Sequence, residues 1–163
     1  MHKSNKKILF LLKKRHQIWN DDDQYASELS SGLLNSVRFV THMINRALGP
    51  CQADMSQVHD ANAIDREIHY QRPHMVVIEA LWVTPDKLRE LSTKYPQIIW
   101  VVRLHSEVPF LANEGMAMQW LTQYRQVPRV RIGANSSRLR AELADLLDTD
   151  ILHLPNFYEH EEL

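Results

Sequence analysis

From Met75 to Leu104 the chain reads MVVIEALWVTPDKLRELSTKYPQIIWVVRL, and this stretch decides the fold. It opens on Met75-Val76-Val77-Ile78-Glu79, a short apolar run introduced by Arg72-Pro73, which predicts a strand buried on both faces. Thr84-Pro85-Asp86 then supplies an N-cap, a first-turn proline and a first-turn acid, the chemistry of a helix start. Leu88, Leu91 and Tyr95 continue one apolar face until Pro96 stops it. Ile98-Ile99-Trp100-Val101-Val102 is a second strand, the most strongly apolar in the sequence. Strand, helix and strand in this order imply a right-handed crossover between parallel strands.

The same rhythm runs outward in both directions. Upstream, Ile8 to Leu12 predicts a buried strand. Tyr25, Leu29, Leu33, Val37, Val40, Ile44 and Leu48, at steps of three or four, then mark one face of a long helix. Asp21, Asp22 and Asp23 suit its N-cap and positive dipole end, and Gly49-Pro50 suits its stop. Cys51 to His59 is polar enough for a strand near a sheet edge, and Ala61 to His69 reads as a short helix. Downstream, a helix is expected over Leu111 to Gln126, closed by Pro128. A strand from Val130 to Ala134 follows, then a helix capped by Ser136 or Ser137 and carrying Leu139, Leu143, Leu146 and Leu147. Ile151 to Leu154 is the last strand. The expectation is a single α/β domain over residues 1–163: a three-layer, Rossmann-like fold with a mostly parallel sheet of about six strands and helices on both faces.

Bulk properties narrow the function. The chain has 163 residues, 44% of them apolar and 24% charged, which suits one domain with a full core. Its 19 basic and 20 acidic side chains give a net charge of -1, so nothing global favours nucleic acid as partner. Lys13-Lys14-Arg15 is a local basic run that reads first as a solvated strand end. The single cysteine, Cys51, forms no internal disulfide or thiolate zinc site; it reads as a small buried hydrophobe in an intracellular, cytoplasmic chain. The N-terminal apolar run is too short for a signal core, and no stretch approaches the roughly 20 apolar residues that span a bilayer.

Ligands of such sheets bind beyond the carboxyl ends of the strands. That rule selects the loop after Leu12, Glu79, the run Arg103-Leu104-His105-Ser106-Glu107, Asn135-Ser136 and Pro155-Asn156. Lys13 to Asp23 contains no glycine, so neither a dinucleotide fingerprint nor a P-loop is present and no cofactor is expected. A phosphate-accepting receiver domain is excluded on residue identity, because Glu79 stands where it needs Asp and no Lys follows the strand at Ala134. Three consecutive Asp side chains converge poorly on one ion, which favours capping over cation binding. The histidines show no metal-ligating spacing, so no metal site is expected.

The richest candidate is His105 with Ser106 and Glu107, where an imidazole at a strand end can act as general base. Satisfying loop backbone groups is an equal reading for that histidine. Glu79 is a weaker candidate whose bland reading is a pair with a nearby arginine. Asn113-Glu114-Gly115 opens or interrupts the next helix, and Asn135 and Ser136 stand where helix N-terminal amides can hold an anion. Each of these is also a common cap or turn. Trp100, Trp120, Phe110 and Tyr124 read as core.

Three segments carry a resemblance. They are Ser31-Gly32-Leu33-Leu34-Asn35-Ser36, the run Val102-Arg103-Leu104-His105-Ser106-Glu107-Val108-Pro109-Phe110-Leu111-Ala112-Asn113-Glu114-Gly115, and Leu154-Pro155-Asn156-Phe157-Tyr158. Together they resemble glycosyltransferase-like proteins of phages and bacteria with the two-domain GT-B architecture, the central run being the most specific. The resemblance implies the N-terminal, acceptor-side domain. Gly32, Asn35, Ser36, Arg103, His105 and Ser106 would line the sugar acceptor, with His105 as base. A nucleotide-sugar donor would be held mainly by a second Rossmann-like domain, which is expected to be absent here unless a partner chain supplies it, so the domain alone is expected to be inactive or weak. The alternative is a non-catalytic, phage-type binding or assembly protein that kept the fold and engages a partner or a second copy of itself. A separate enzyme of flavodoxin-like shape is disfavoured by the missing phosphate-binding loop.

Overall fold

The computed structural model describes residues 6–14, 23–47, 49–105 and 115–155. Six strands form one wholly parallel sheet: β1 (Lys6–Lys13), β2 (Cys51–Val58), β3 (Met75–Glu79), β4 (Ile99–Leu104), β5 (Val130–Ala134) and β6 (Leu152–His153). Between them run α1 (Asp23–Ala47), α2 (Ile64–Gln71), α3 (Pro85–Lys94), α4 (Ala117–Tyr124) and α5 (Ser137–Leu147). The spatial order is β2-β1-β3-β4-β5-β6, so the chain reverses its direction of travel between β1 and β3. That reversal is the topological switch point of a doubly wound fold.

Right-handed crossovers explain where the helices lie. The step from β1 to β2 goes one way and every later step goes the other, so α1 falls on one face and α2 to α5 on the opposite face. Side chains alternate along each strand to serve both. Leu9, Leu11, Val76, Ile78, Trp100, Val102 and Leu104 pack with buried residues of the four-helix layer, among them Ile64, Leu91, Leu121 and Leu143. Phe10, Leu12, Val77 and Val101 pack instead with Val37, Val40 and Ile44 of α1.

Local chemistry sets the ends. Thr84 accepts a hydrogen bond from the Lys87 amide and Ser136 accepts one from Leu139, so both predicted N-caps are formed. The C-terminal cap residues of α2 and α5, Arg72 and Asp148, take left-handed conformations. Strand β2 lies at the sheet edge, as its polarity suggests. Its outward-facing backbone is partly covered: Asn45 of α1 donates from Nδ2 to the Ala53 carbonyl at 2.9 Å and accepts from the Ala53 amide at 2.8 Å. A side-chain amide thus fills one rung that a further strand would otherwise occupy.

Several boundaries differ from the sequence reading. β4 extends through Leu104, so Arg103 is a strand residue and does not belong to the following loop. The helix expected over 111–126 is the shorter α4, with residues 106–114 outside the described residues. Only Leu152 and His153 of the last predicted strand are paired. Cys51 is partly exposed rather than buried, as suits the first residue of an edge strand. Of the Asp cluster, Asp23 begins α1, while Asp21 and Asp22 lie outside the described residues. Trp100 and Tyr124 are core residues and Trp120 packs against that core, whereas Phe110 lies outside the described residues. Among the described residues, no helix is long and apolar enough to cross a membrane.

Candidate functional site

Glu79 ends β3 and Arg103 stands beside it on β4 in direct register, with Gly133 of β5 next in the same row. Glu79 follows Val77 by two residues and Arg103 follows Val101 by two. All four side chains therefore share the face that carries α1. Glu79 and Arg103 are each only 1% exposed. Two charges this deep persist only as a hydrogen-bonded pair. Arg103 donates from one terminal nitrogen to both carboxylate oxygens, at 3.1 and 3.3 Å.

Two further nitrogens of the guanidinium reach backbone carbonyls. Its Nε donates to the Leu154 carbonyl and its other terminal nitrogen to the Pro155 carbonyl, each at 2.9 Å. These carbonyls belong to the segment leaving β6, which passes over β5. Gly133 leaves space beneath it: a Cβ there would lie 2.9 Å from a terminal methyl of Leu154, which would have to shift. The segment is held further by the Leu154 amide, which donates to the Ala134 carbonyl at 2.8 Å.

His105 follows directly after β4. Its Nε2 makes a close hydrogen bond to the second carboxylate oxygen of Glu79. The imidazole is 18% exposed, so it forms the boundary between the buried pair and solvent. A carboxylate accepts hydrogen bonds and donates none, so Nε2 carries the proton in this contact. The neutral ring then keeps its lone pair on Nδ1, which has no hydrogen-bond partner among the described residues. A carboxylate behind an imidazole is the arrangement that fixes a tautomer and stabilises the imidazolium once the ring takes up a proton. This site can therefore remove a proton at Nδ1.

The backbone around the cluster is under constraint. Ala80, immediately after Glu79, adopts φ +73°, a left-handed conformation that L-residues avoid. It is held there by its amide donating to the Arg103 carbonyl at 2.9 Å. The Trp82 indole donates to the Glu79 carbonyl at 2.8 Å. Non-glycine residues in such conformations concentrate at functional sites.

The other sequence candidates divide by position. Ser36 is buried and Asn35 exposed, both on α1 and thus on the helix that covers the face bearing Glu79 and Arg103. Gly32 lies in the same helix. Ser136 is spent on capping α5. Asn135 is partly exposed, and its amide donates to the Leu104 carbonyl at 3.2 Å, beside His105. Ser106, Glu107, Asn113, Glu114 and Asn156 lie outside the described residues. Lys13 and Lys14 are exposed at the end of β1, as a solvated strand end would be, and Arg15 lies outside the described residues.

Pro155 belongs to the rim that the strand-end rule selects, whereas the rule does not point to Leu154 or Gly133. Leu154 and Pro155 join the cluster through their backbone carbonyls, which leave no mark in a sequence. Gly133 did leave one: an isolated glycine within a strand pattern signals close backbone approach. A cleft of about 370 Å³, lined by Gln57, His59, Arg66, Glu67 and Tyr70 among others, shares no residue with the cluster. The Glu67 carboxylate accepts from Ser56 there. The strand-end cluster, with a carboxylate and an imidazole in contact, has the stronger chemical organisation of the two.

Fold and site together define a doubly wound parallel α/β domain with a guanidinium–carboxylate–imidazole chain at its strand ends. No protein-family model matches the chain, and no curated protein matches it.

Proposed function

We propose that this chain is the acceptor-side Rossmann-like domain of a glycosyltransferase that uses a nucleotide-sugar donor, with His105 as general base. The observation that carries the reading is the contact of His105 Nε2, just after β4, with Glu79 at the end of β3, which leaves Nδ1 as the basic atom. In the reaction, the acceptor hydroxyl oxygen bonds to the anomeric carbon as that carbon's bond to the donor phosphate oxygen breaks. The hydroxyl proton goes to Nδ1 and the nucleotide leaves with the bonding electrons. Glu79 and Arg103, being buried, act from behind the ring. Gly32 and Asn35 of α1, with Ser106, complete the acceptor side, Ser36 being buried as Glu79 and Arg103 are, and a second Rossmann-like unit holds most of the donor.

Calorimetric titration with UDP-, GDP- and ADP-sugars tests this, alongside light scattering. Because the second unit holds most of the donor, weak binding of one donor class is expected for this chain, with His105→Ala lowering its sugar transfer by about 10²- to 10⁴-fold while the fold is retained. No heat with any donor, together with a tight homodimer, would overturn the reading in favour of a binding or assembly protein. Unchanged turnover in His105→Ala would remove that residue from the mechanism.

A further inference from the structure

We infer that Arg103 is the positioning residue of this site, setting the tautomer of His105 through Glu79; the inference rests on His105 being the base proposed above. Three facts converge on it. The guanidinium is a rigid planar fork, and its three nitrogens face three fixed acceptors: the Glu79 carboxylate and the carbonyls of Leu154 and Pro155. The two carbonyls cannot rotate independently of the chain, so they fix the plane of the fork and hence the direction of the nitrogen facing Glu79. One Glu79 oxygen takes the shorter of the two arginine contacts, which turns the other toward His105 Nε2.

Gly133 belongs to the same device. It lies beside Arg103 in register, and its missing side chain leaves the space that the Leu154 side chain fills. A side chain at 133 would push Leu154, whose carbonyl is the Nε acceptor. Lysine at 103 would keep the positive charge, but a single ammonium cannot reproduce three divergent, coplanar contacts. The carboxylate would stay neutralised yet free to turn, and the ring would lose its preference for Nε2–H.

The test is ¹⁵N NMR of the imidazoles in the full chain, with His105 assigned by its loss in His105→Ala. In the wild-type protein, the neutral ring of His105 is expected to carry its proton on Nε2. In Arg103→Lys, the two tautomers should become mixed, with kcat for transfer falling about 10- to 100-fold and KM changing less than about twofold. A wild-type ring protonated on Nδ1 overturns the inference, as does folded Arg103→Lys with wild-type tautomer populations. Should Arg103→Lys fail to fold, the wild-type spectrum alone decides the inference, and a mixture of the two tautomers there overturns it as surely as a ring protonated on Nδ1. The NMR readout needs no donor, so a correct tautomer without nucleotide-sugar binding would sink the transferase reading alone.

Discussion

Glu79 and Arg103 give up the hydration of two full charges, and the Coulomb attraction between them in a poorly polarisable interior offsets most of that cost. What the fold cannot tolerate is one without the other. Glu79→Leu or Arg103→Met alone leaves a buried charge unpaired, with an expected loss of about 3–5 kcal/mol, whereas the double substitution should be less damaging than either single one. Urea denaturation of the three variants checks this, and additive losses would show that the pair is not energetically coupled. Pairing with a nearby arginine is one of two roles the sequence leaves open for Glu79, beside a role in the site, and the structure shows that pair. The sequence reading placed Arg103 in a loop, since a charged residue ordinarily ends such a strand. Only the tertiary pairing of β3 with β4 makes an arginine tolerable inside it.

At the scale of elements, α2 and α3 are joined by charge as well as by apolar packing. Asp65 of α2 accepts from the Lys94 ammonium and the Tyr95 hydroxyl, each at 2.8 Å, with the Lys87 ammonium 3.6 Å from its other oxygen. Partial burial works against the charged form of this carboxylate. The two hydrogen bonds and the neighbouring ammonium charges outweigh that, and hold Asp65 below its ordinary 3.8. A depressed carboxylate contributes stability above its unfolded value, and that contribution disappears as pH falls through the folded one. Asp65→Asn should therefore lower Tm by about 2 °C at pH 7, and the gap should narrow below about pH 4. Thermal scans from pH 7 to pH 3 decide it, and a gap of constant size would rule out this linkage. The helices themselves were legible, because caps and apolar spacing are local signals. The Asp65 cluster was not: Lys94 and Tyr95 stand 29 and 30 residues from Asp65 and reach it only once β3 has been laid into the sheet between them.

For the whole molecule, element order was readable from the alternation of strands and helices, but the neighbour relations in the sheet were not. Nothing in residues 8–12 or 51–59 says that β1 lies between β2 and β3, since right-handed crossovers permit several strand orders. The order found makes the two helical layers unequal, with α1 alone opposite four helices among the described residues. One might expect such a single helix to detach independently. The sheet argues otherwise, because adjacent residues of one strand serve opposite layers: Leu9 and Leu11 one, Phe10 and Leu12 the other. Loss of α1 would bare Phe10, Leu12, Val77 and Val101 together, and the strands that hold the larger core would lose their backing. Val37→Ala in α1 and Leu91→Ala in α3 should thus shift one shared transition, by about 2 and 3 kcal/mol respectively. Tryptophan fluorescence, with Trp100 in the larger core, and far-ultraviolet circular dichroism should report the same midpoint in each variant. The two residues share no partner and lie on opposite faces, so their double substitution should cost the sum of the single losses, unlike the Glu79–Arg103 pair. Separate midpoints for Val37→Ala would mean that α1 is an independent unit, and the coupling through the sheet would have to be abandoned.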